Sequence, residues 1–437
     1  MVKDINIEFT QKSVSPWGGL KLMKDLIEKT GVKDQLAELD LPWPQSNRGY
    51  DPIDVIEAYW VSLWIGAQNF SQAHWIRDDD VIKEIFGWQK SPSQSTFSRF
   101  FKKFSWSRNN TVFEPLQSWF MNQLTLDNIT LDLDSTVITR YGEQEGAHYG
   151  YNPNQKGRPS HHPLMAFMPN IRMVVNSWLR SGDTHDINNS KHFLDETLRI
   201  LGNKKVGLLR ADSGFYGRDF IQHLESQPNP LNYIIAVRLY KPFRKMLQGH
   251  QNWVAIDDGL EVCEFTWKPP QWDRERRFVA VRKNIRHFPK GGGKTLFPDQ
   301  HQVWRYSLFV TNMDLPAQEI CRTYWGRADS ENRIKELKYD FSLEQFSSRD
   351  FWATEAAQRF MMMAYNLMSL FRQLVLKGPS KQFLKSIRFQ CYAIGSWISK
   401  SGRSRTLKLS LTKRKVRWME GLFSKIGGAS PPFSYYS

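Results

Sequence analysis

Cysteine is scarce in this sequence, which has three in 437 residues: Cys263, Cys321 and Cys391. The three lie far apart and follow none of the spacings of cysteine metal sites or redox motifs. A disulfide-rich secreted protein and a cysteine zinc site are therefore excluded. No secretory signal opens the chain either, so we expect a cytoplasmic protein.

Long hydrophobic runs are also few, and the longest spans residues 360–376, FMMMAYNLMSLFRQLVL. This run is shorter than the roughly 20 residues of a membrane-spanning helix, and it contains Asn366, Arg372 and Gln373. We therefore predict a buried core helix at this position and no membrane partner.

Acidic residues are outnumbered, since 44 Asp and Glu stand against 60 Lys and Arg, for a net charge of +16. Such an excess favours a polyanionic partner, and nucleic acid is favoured over an anionic membrane. Residues 377–419 contain twelve Lys and Arg and no Asp or Glu. We predict that this segment contacts phosphate or bridges two subunits, and the alternative is a solvated, partly disordered end.

Hydrophobic residues make up 41% of the chain and aromatic residues 14%, enough for a large core and for more than one domain. Residues 1–127 have helical periodicity and predict a helical N-terminal DNA-binding region. Within it, SPSQSTFSRFFKKF predicts a short basic helix capped by Ser91 or Ser93. Its cations and phenylalanines fit a helix that lies on DNA as well as an ordinary amphipathic surface helix.

The pattern changes in the middle of the chain. Residues 128–238 begin with strands and continue with alternating strands and helices, whereas residues 239–310 hold short β-like runs between Pro and Gly clusters. Residues 311–376 return to helical periodicity, and residues 377–437 form the basic C-terminal region. We predict an α/β fold with a mixed sheet and a β-rich insertion at 239–310.

Two acidic motifs lie on predicted strands. In ITLDLDSTVITR the apolar residues alternate with polar ones, so Asp132 and Asp134 project from the same face. In LLRADSGFYG a short buried strand ends at Asp212. Functional side chains of α/β sheets gather at strand ends, which makes these aspartates candidates for a site.

A third acidic residue lies in TYWGRADSENRIKELKYD, residues 323–340. On one long helix, its spacing places the side chains of Tyr324, Arg327, Glu331 and Lys338 within about 60° of one another. Glu336 points about 140° away from Glu331 on the same helix. The sequence thus predicts a polar helix face with one carboxylate among cations.

Each acidic residue has a structural explanation of its own, such as a solvated strand face, a turn or an ion pair along the helix. Together, however, Asp134, Asp212 and Glu331 would repel one another unless they were protonated or bridged by a hard cation such as Mg²⁺. A two-metal site for phosphodiester chemistry is the natural use of three carboxylates in a basic protein.

These motifs resemble those of the DDE transposases of bacterial insertion sequences. The match is to the subgroup with a Tyr, Arg, Glu, Lys signature around the last acidic residue. LDLDST and LLRADSGFYG are similar to the family's first and second acidic motifs, and GYNPNQKGRPSHHPL is similar to the basic segment after the first. The resemblance spans residues 128–376. It favours Asp134 over Asp132 as the first catalytic aspartate, because the family motif places that residue directly before Ser135 and Thr136.

The resemblance implies a ribonuclease H-like catalytic domain, interrupted by the insertion, that carries out metal-dependent DNA cleavage and strand transfer. It also implies two Mg²⁺ ions, for which Mn²⁺ can substitute, and double-stranded DNA as partner, namely terminal inverted repeats and target DNA, bound by a homodimer. The implied catalytic and metal-binding residues are Asp134, Asp212 and Glu331, and the implied DNA-binding residues are Tyr324, Arg327, Lys338, Lys156 and Arg158.

Other residues leave alternatives open. His148, His161 and His162 flank the basic loop, but their irregular spacing argues for DNA contact by the loop rather than a zinc site. Aromatic residues of the insertion could stack on an extruded base or could serve packing; they are Trp253, Trp267, Trp272 and Trp304. On the same fold, a nuclease or resolvase and a DNA-binding protein that has lost catalysis are rival functions.

Overall fold

The computed structural model describes residues 5–46, 48–153, 155–285, 303–376 and 382–434. In these ranges the helices are α1 (Lys21–Thr30), α2 (Val32–Ala37), α3 (Pro52–Ile65), α4 (His74–Arg77), α5 (Asp80–Phe86), α6 (Gln94–Phe101), α7 (Trp106–Asn122), α8 (Ser190–Leu201), α9 (Arg218–Glu225), α10 (Lys241–Gly249), α11 (Ala317–Trp325), α12 (Ala328–Tyr339), α13 (Phe351–Phe371), α14 (Leu384–Ile387) and α15 (Lys413–Gly427). The strands are β1 (Leu124–Thr125), β2 (Ile129–Ser135), β3 (Ile138–Thr139), β4 (Ser160–His161), β5 (Leu164–Met168), β6 (Met173–Trp178), β7 (Val206–Ala211), β8 (Tyr233–Ala236), β9 (Val254–Asp257), β10 (Leu260–Trp267), β11 (Arg276–Ile285), β12 (Val303–Thr311), β13 (Ser396–Ser401), β14 (Ser404–Leu409) and β15 (Phe433–Ser434).

A mixed sheet organises the fold, with the strand order β6-β5-β2-β7-β8-β12-β11-β10-β9. Strands β2, β5 and β6 are antiparallel neighbours, whereas β7 runs parallel to β2 and β8 runs parallel to β7. Three antiparallel strands followed by two strands parallel to the first form the ribonuclease H-like sheet. The predicted α/β fold is confirmed.

The strands of the predicted insertion extend this same sheet. Strand β12 pairs antiparallel with β8, and β11, β10 and β9 follow outward in a meander. The described strands between β8 and α11 therefore add a β-rich edge to this sheet. The Gly-rich run 290–294 lies outside the described residues.

The register of β2 and β7 brings the two aspartate motifs together. Leu133 pairs with Ala211 across the parallel ladder, so Asp134 and Asp212 follow at the same end of adjacent strands. The carboxyl ends of parallel strands lie at the same edge of a sheet. Asp134 and Asp212 are therefore neighbours in space although they are far apart in the sequence.

Asp132 has a different position, because it is fully buried and pairs in register with Arg210 of β7. Arg210 Nε and Nη2 lie 2.6 and 2.8 Å from the two Asp132 carboxylate oxygens. Arg210 also donates from Nη1 to the carbonyl oxygen of Thr323, 2.6 Å away, at the end of α11. Asp132 therefore anchors the helix that leads into the signature region.

We expect Asp132→Asn to act on stability. Removing one partner of a buried ion pair leaves an uncompensated charge, at a typical cost of about 3–5 kcal/mol. Urea unfolding should show this loss, and the fraction that remains folded should still cleave DNA. A variant of parental stability without cleavage activity would place Asp132 in the active site instead.

The signature region differs from the prediction of one long helix, because it divides into α11 and α12 at Gly326 and Arg327. Arg210 lies at this break. Its guanidinium donates to the Thr323 carbonyl oxygen, and the Arg327 N–H donates to the Tyr324 carbonyl oxygen over 2.9 Å, in place of the α-helical bond to Thr323. A Cβ at Gly326 would lie 2.8 Å from Arg210 Nη1, so the turn fits closely over the guanidinium.

The longest apolar run is helical, as predicted: its residues up to Phe371 form the buried end of α13, and a π-helical turn, Arg372–Leu376, follows. Asn366 bonds both the N–H and the carbonyl of Val174 on the sheet-edge strand β6, at 2.8 and 2.7 Å. Arg372 pairs with Glu336 of α12. Among the described residues, no helix is long and apolar enough to span a membrane.

The N-terminal region is helical, as predicted, and it packs on α13. Tyr59 and Trp60 of α3 donate to carbonyl oxygens of α13, at 3.2 and 2.9 Å. In α6 the cap is Ser93, which accepts from the Thr96 N–H. The phenylalanines of α6 are buried and Arg99 is exposed. This arrangement fits a helix that lies on DNA as well as an ordinary amphipathic surface helix.

The basic C-terminal region folds back on the N-terminal region. Ser396 of the β13–β14 hairpin exchanges backbone hydrogen bonds with Ser15, and β15 pairs with β1. Helix α15 buries Met419, Leu422 and Ile426. The predicted tail cations Lys377 and Lys381 lie outside the described residues.

Candidate active site

A cavity of about 960 Å³ opens where β2 and β7 end. The cavity is lined by five residues that the sequence motifs predict for the site: Asp134, Asp212, Glu331, Arg327 and Tyr324. Lys338 of the signature lines it as well. Despite the break between α11 and α12, the whole signature therefore faces the two aspartates.

Asp134 is almost completely buried at the end of β2. Its Oδ1 accepts from the Ser135 N–H at 2.9 Å and lies 3.0 Å from Arg327 Nη2. Burial raises the pKa of the Asp134 carboxyl to about 6; Arg327 opposes this rise and Asp212 adds to it. Arg327 therefore does not fully compensate for the burial of the Asp134 carboxylate and its repulsion by Asp212.

Asp212 begins the helical turn Ser213–Phe215 directly after β7. Its Oδ1 accepts from the Gly214 N–H at 2.9 Å, which fixes the side chain toward the cavity. Burial raises the pKa of Asp212, Arg327 lowers it, and Asp186 raises it further.

Arg327 is the central cation of the cavity. Its Nη2 donates to the Leu133 carbonyl oxygen, 3.0 Å away, and contacts Asp134. Burial by itself would lower the pKa of Arg327, but the negative charges of Asp134 and Asp212 outweigh this effect, so the guanidinium stays charged. Arg327 partly offsets the repulsion between the two aspartates.

Glu331 is exposed on α12, one turn beyond Arg327, together with the exposed Lys335. Lys338 donates to the Val137 carbonyl oxygen at 3.0 Å and lies 2.9 Å from Glu344. The helix therefore presents one carboxylate and two ammonium groups to the cavity.

Tyr324 lies across the cavity, on α11. Its ring packs on Phe309 with a centroid separation of 4.4 Å, and burial raises its pKa to about 12. The hydroxyl thus stays protonated and can donate a hydrogen bond to a phosphate oxygen.

The basic loop after β3 forms one rim of the cavity. Lys156 and Arg158 of this loop are both exposed. Gln155, which directly precedes Lys156, lines the cavity. Tyr141 and Tyr151 also line it, with exposures of 69% and 77%. Exposed aromatic rings beside cations are suited to nucleic acid contact.

The tryptophans of the insertion have packing partners. Arg282 lies 4.4 Å from the ring centroids of both Trp253 and Trp304. Trp267 packs on Phe243, and Trp272 packs on Tyr216. Base stacking by one of these residues stays a prediction.

The three histidines have separate environments. His161 is buried between Arg140 and the Glu145 carbonyl, and burial lowers its pKa to about 4. His148 is exposed beside Asp183, 3.3 Å away. His162 lines the cavity, and its Nε2 lies 3.2 Å from Asp186.

Asp186 is an acidic residue of the cavity that the sequence motifs do not predict. It lies in the loop between β6 and α8, and its Oδ1 accepts from Ser135 Oγ at 2.6 Å. No strand end or helix face marks it in the sequence. Its neighbourhood, Ser-Gly-Asp-Thr-His-Asp, is that of an ordinary polar loop, so only the fold assigns it to the cavity.

The donor set suits a hard divalent cation. Asp134 and Asp212 supply carboxylate oxygens, the ligands that Mg²⁺ prefers. Burial and a neighbouring carboxylate raise the pKa of each, so a bound cation would stabilise their ionised forms. Across the described ranges, no three His, Cys, Asp or Glu side chains are grouped closely enough to hold a metal ion. The assignment of Glu331 as third ligand therefore stays a prediction.

Comparison with known proteins agrees with the motifs. The profile of the family described as Transposase DDE domain group 1 matches residues 1–427, whereas no curated protein sequence matches the chain. The structure is similar to a piggyBac transposase solved by cryo-electron microscopy in a synaptic complex with hairpin DNA, with a TM-score of 0.48 and 12% identity over 88% of this chain and 82% of that one. Because the family profile covers nearly the whole chain, this protein belongs to the DDE transposases, enzymes that cleave and transfer DNA.

Proposed function

We propose that this transposase binds the terminal inverted repeats of a bacterial insertion sequence and moves the element by cut-and-paste transposition. The observation that carries the proposal is the shared cavity. It holds two buried aspartates from adjacent strand ends, a glutamate on a facing helix and the cations of that helix. Such a site can neutralise and align a phosphodiester for in-line displacement.

In this proposal Asp134, Asp212 and Glu331 would hold two Mg²⁺ ions, or Mn²⁺ in their place. The bound metal would supply Lewis-acid stabilisation of the reacting phosphate. Arg327 keeps the Asp134 carboxylate ionised and fixed in position through its contact at 3.0 Å. No covalent enzyme nucleophile is required, because water and then the freed 3′ hydroxyl attack phosphorus.

The remaining residues of the cavity position DNA. Tyr324, Arg327 and Lys338 engage the phosphates of the transposon end, with Lys335 beside Lys338. Lys156 and Arg158 contact the flanking backbone from the loop rim. The exposed Tyr141 and Tyr151 rings provide surfaces for bases next to the cleavage point. A homodimer on two transposon ends completes the proposed complex.

Strand joining separates this function from its nearest rival, a nuclease or resolvase on the same fold. Purified protein is incubated with Mg²⁺, labelled terminal repeats and a plasmid target, and products are resolved on a denaturing gel. Transposition predicts both cleaved ends and ends joined to plasmid. Cleavage without joined product would favour the nuclease, and binding without cleavage would favour a derivative that has lost catalysis.

The C-terminal cations should contribute to DNA affinity. Lys413, Arg414 and Lys415 are exposed in the first turn of α15, where positive charge is unfavourable for the helix dipole and a bound phosphate would offset it. Replacing all three with Gln should weaken DNA binding. Because each lost phosphate contact lowers the slope of log affinity against log salt by about 0.9, the three together should lower it by up to about 2.7.

Fluorescence anisotropy with a labelled duplex at several salt concentrations measures both quantities. The matched control replaces Lys241, Arg244 and Lys245, which are exposed cations of α10. Equal losses from the two triple variants would mean that net charge alone matters, and would remove a specific role for α15. Truncation after Leu376 is unsuitable as a test, because it removes buried residues of α15.

A further inference from the structure

Asp186 connects the two catalytic aspartate motifs, although it belongs to neither. The residue is half-buried, lines the same cavity as Asp134 and Asp212, and comes from the loop between β6 and α8. Each of its two carboxylate oxygens faces a different motif.

The Oδ1 atom of Asp186 faces the first motif. Ser135 Oγ donates to it at 2.6 Å, while the Ser135 backbone N–H donates to Asp134 Oδ1 at 2.9 Å. A short hydrogen bond to a carboxylate is among the stronger ones in proteins. One serine therefore ties Asp186 to the position of Asp134.

The Oδ2 atom of Asp186 faces the second motif. A Cβ built on Gly214 would lie 2.2 Å from this oxygen, so the carboxylate rests directly against the backbone at Gly214. The N–H of the same residue donates to Asp212 Oδ1 at 2.9 Å. Asp186 thereby limits how far the turn that orients Asp212 can move.

Two buried cationic or polar side chains hold Asp186 in turn. His162 Nε2 lies 3.2 Å from Asp186 Oδ1, and Arg180 Nη2 lies 3.8 Å from it. Arg180 Nη1 also donates to three backbone carbonyl oxygens of the loop. They belong to His185 at 3.2 Å, Asp186 at 3.2 Å and Asn188 at 3.1 Å. The loop is thus fixed from the core side.

We propose that Asp186 is a positioning residue that sets the relative placement of the Asp134 and Asp212 carboxylates for metal binding. This inference rests on the proposed function of the cavity. It requires the acceptor oxygen of Asp186 more than its charge, since the contact to Ser135 is a hydrogen bond. Asparagine keeps that oxygen and the side-chain size, whereas alanine removes both.

The test compares Asp186→Ala, Asp186→Asn and Ser135→Ala. We expect Asp186→Ala and Ser135→Ala each to lose about 10- to 100-fold in Mn²⁺ affinity and in single-turnover cleavage, as for other residues that orient metal ligands. The double alanine variant should be little worse than either single one, because both remove the same bond. Asp186→Asn should stay within about fivefold of the parent, because a neutral acceptor still bonds Ser135, at roughly half the strength.

Mn²⁺ binding is followed without DNA by electron paramagnetic resonance of the free ion, and duplex affinity is followed without metal by anisotropy. Duplex affinity should stay constant in all three variants. The control is Asp183→Asn, an exposed aspartate of the same loop beside His148; it should change neither quantity. Should Asp186→Ala fail to fold, Ser135→Ala still tests the same contact.

Two results would overturn the inference: Mn²⁺ affinity unchanged in Asp186→Ala and Ser135→Ala, or Asp186→Asn as damaging as Asp186→Ala. The second result would mean that the charge itself is needed. Failure of the proposed function is a separate outcome, seen when the parental protein binds Mn²⁺ yet neither cleaves nor joins terminal repeats.

Discussion

Asp134→Asn and Asp212→Asn are each expected to abolish metal-dependent DNA cleavage. Both residues face the cavity from adjacent strand ends, and burial has already raised the pKa of each. Asparagine preserves size but removes the negative charge that a divalent cation requires. Losing metal stabilisation worth several kcal/mol corresponds to a rate decrease of about a thousandfold or more.

Binding of the transposon end should stay within a few fold in the same variants, because these aspartates supply metal ligands and not sequence readout. Single-turnover cleavage of a labelled end measures the rate, and anisotropy measures the affinity. Asp183→Asn serves as the control for an aspartate outside the cavity. Cleavage near the parental rate by either purified variant would remove that residue from the catalytic set.

Glu331→Gln should also eliminate cleavage and strand joining, and it should do so without loss of stability. Glu331 is exposed at the cavity, so replacing its carboxylate with an amide disturbs no buried contact. The expected decrease is again about a thousandfold, for the same loss of metal stabilisation.

Glu336→Gln gives the matched comparison on the same helix. Glu336 is 1% exposed, pairs with Arg372 of the core and accepts from the Leu384 N–H at 2.9 Å. Breaking this buried pair should cost up to about 3–5 kcal/mol of unfolding free energy, while the folded protein still cleaves. Circular dichroism melts separate the two effects. An active, folded Glu331→Gln protein would contradict the assignment of the third carboxylate.

The helix-face prediction shows how far local periodicity reaches. Spacing along an ideal helix placed Tyr324, Arg327, Glu331 and Lys338 on one face, and the structure does bring all four to one cavity. The helix is nevertheless broken between the first two. At the break lies Arg210, more than a hundred residues earlier in the chain, whose guanidinium donates to the Thr323 carbonyl oxygen.

Local periodicity also could not decide between Asp132 and Asp134 as the first catalytic aspartate. Strand alternation put both on one face and could not separate them, and only the family resemblance favoured Asp134. In the structure, Asp132 is directly opposite Arg210 and fully buried, whereas Asp134 lines the cavity. Cross-strand register decides this difference, and register is set by pairing partners from distant parts of the chain.

The sequence by itself determined the local features on which the predicted chemistry depends: an excess of basic charge, acidic residues at strand ends and a helix that presents one carboxylate among cations. These features follow from residue type and local period, which are properties of short segments. Only the tertiary structure decided that Asp186 joins the cavity, that the insertion strands extend the mixed sheet and that the basic C-terminal region pairs with the N-terminal region. The physical reason is that such contacts depend on which distant segments bury their apolar faces together, and no local pattern encodes that choice.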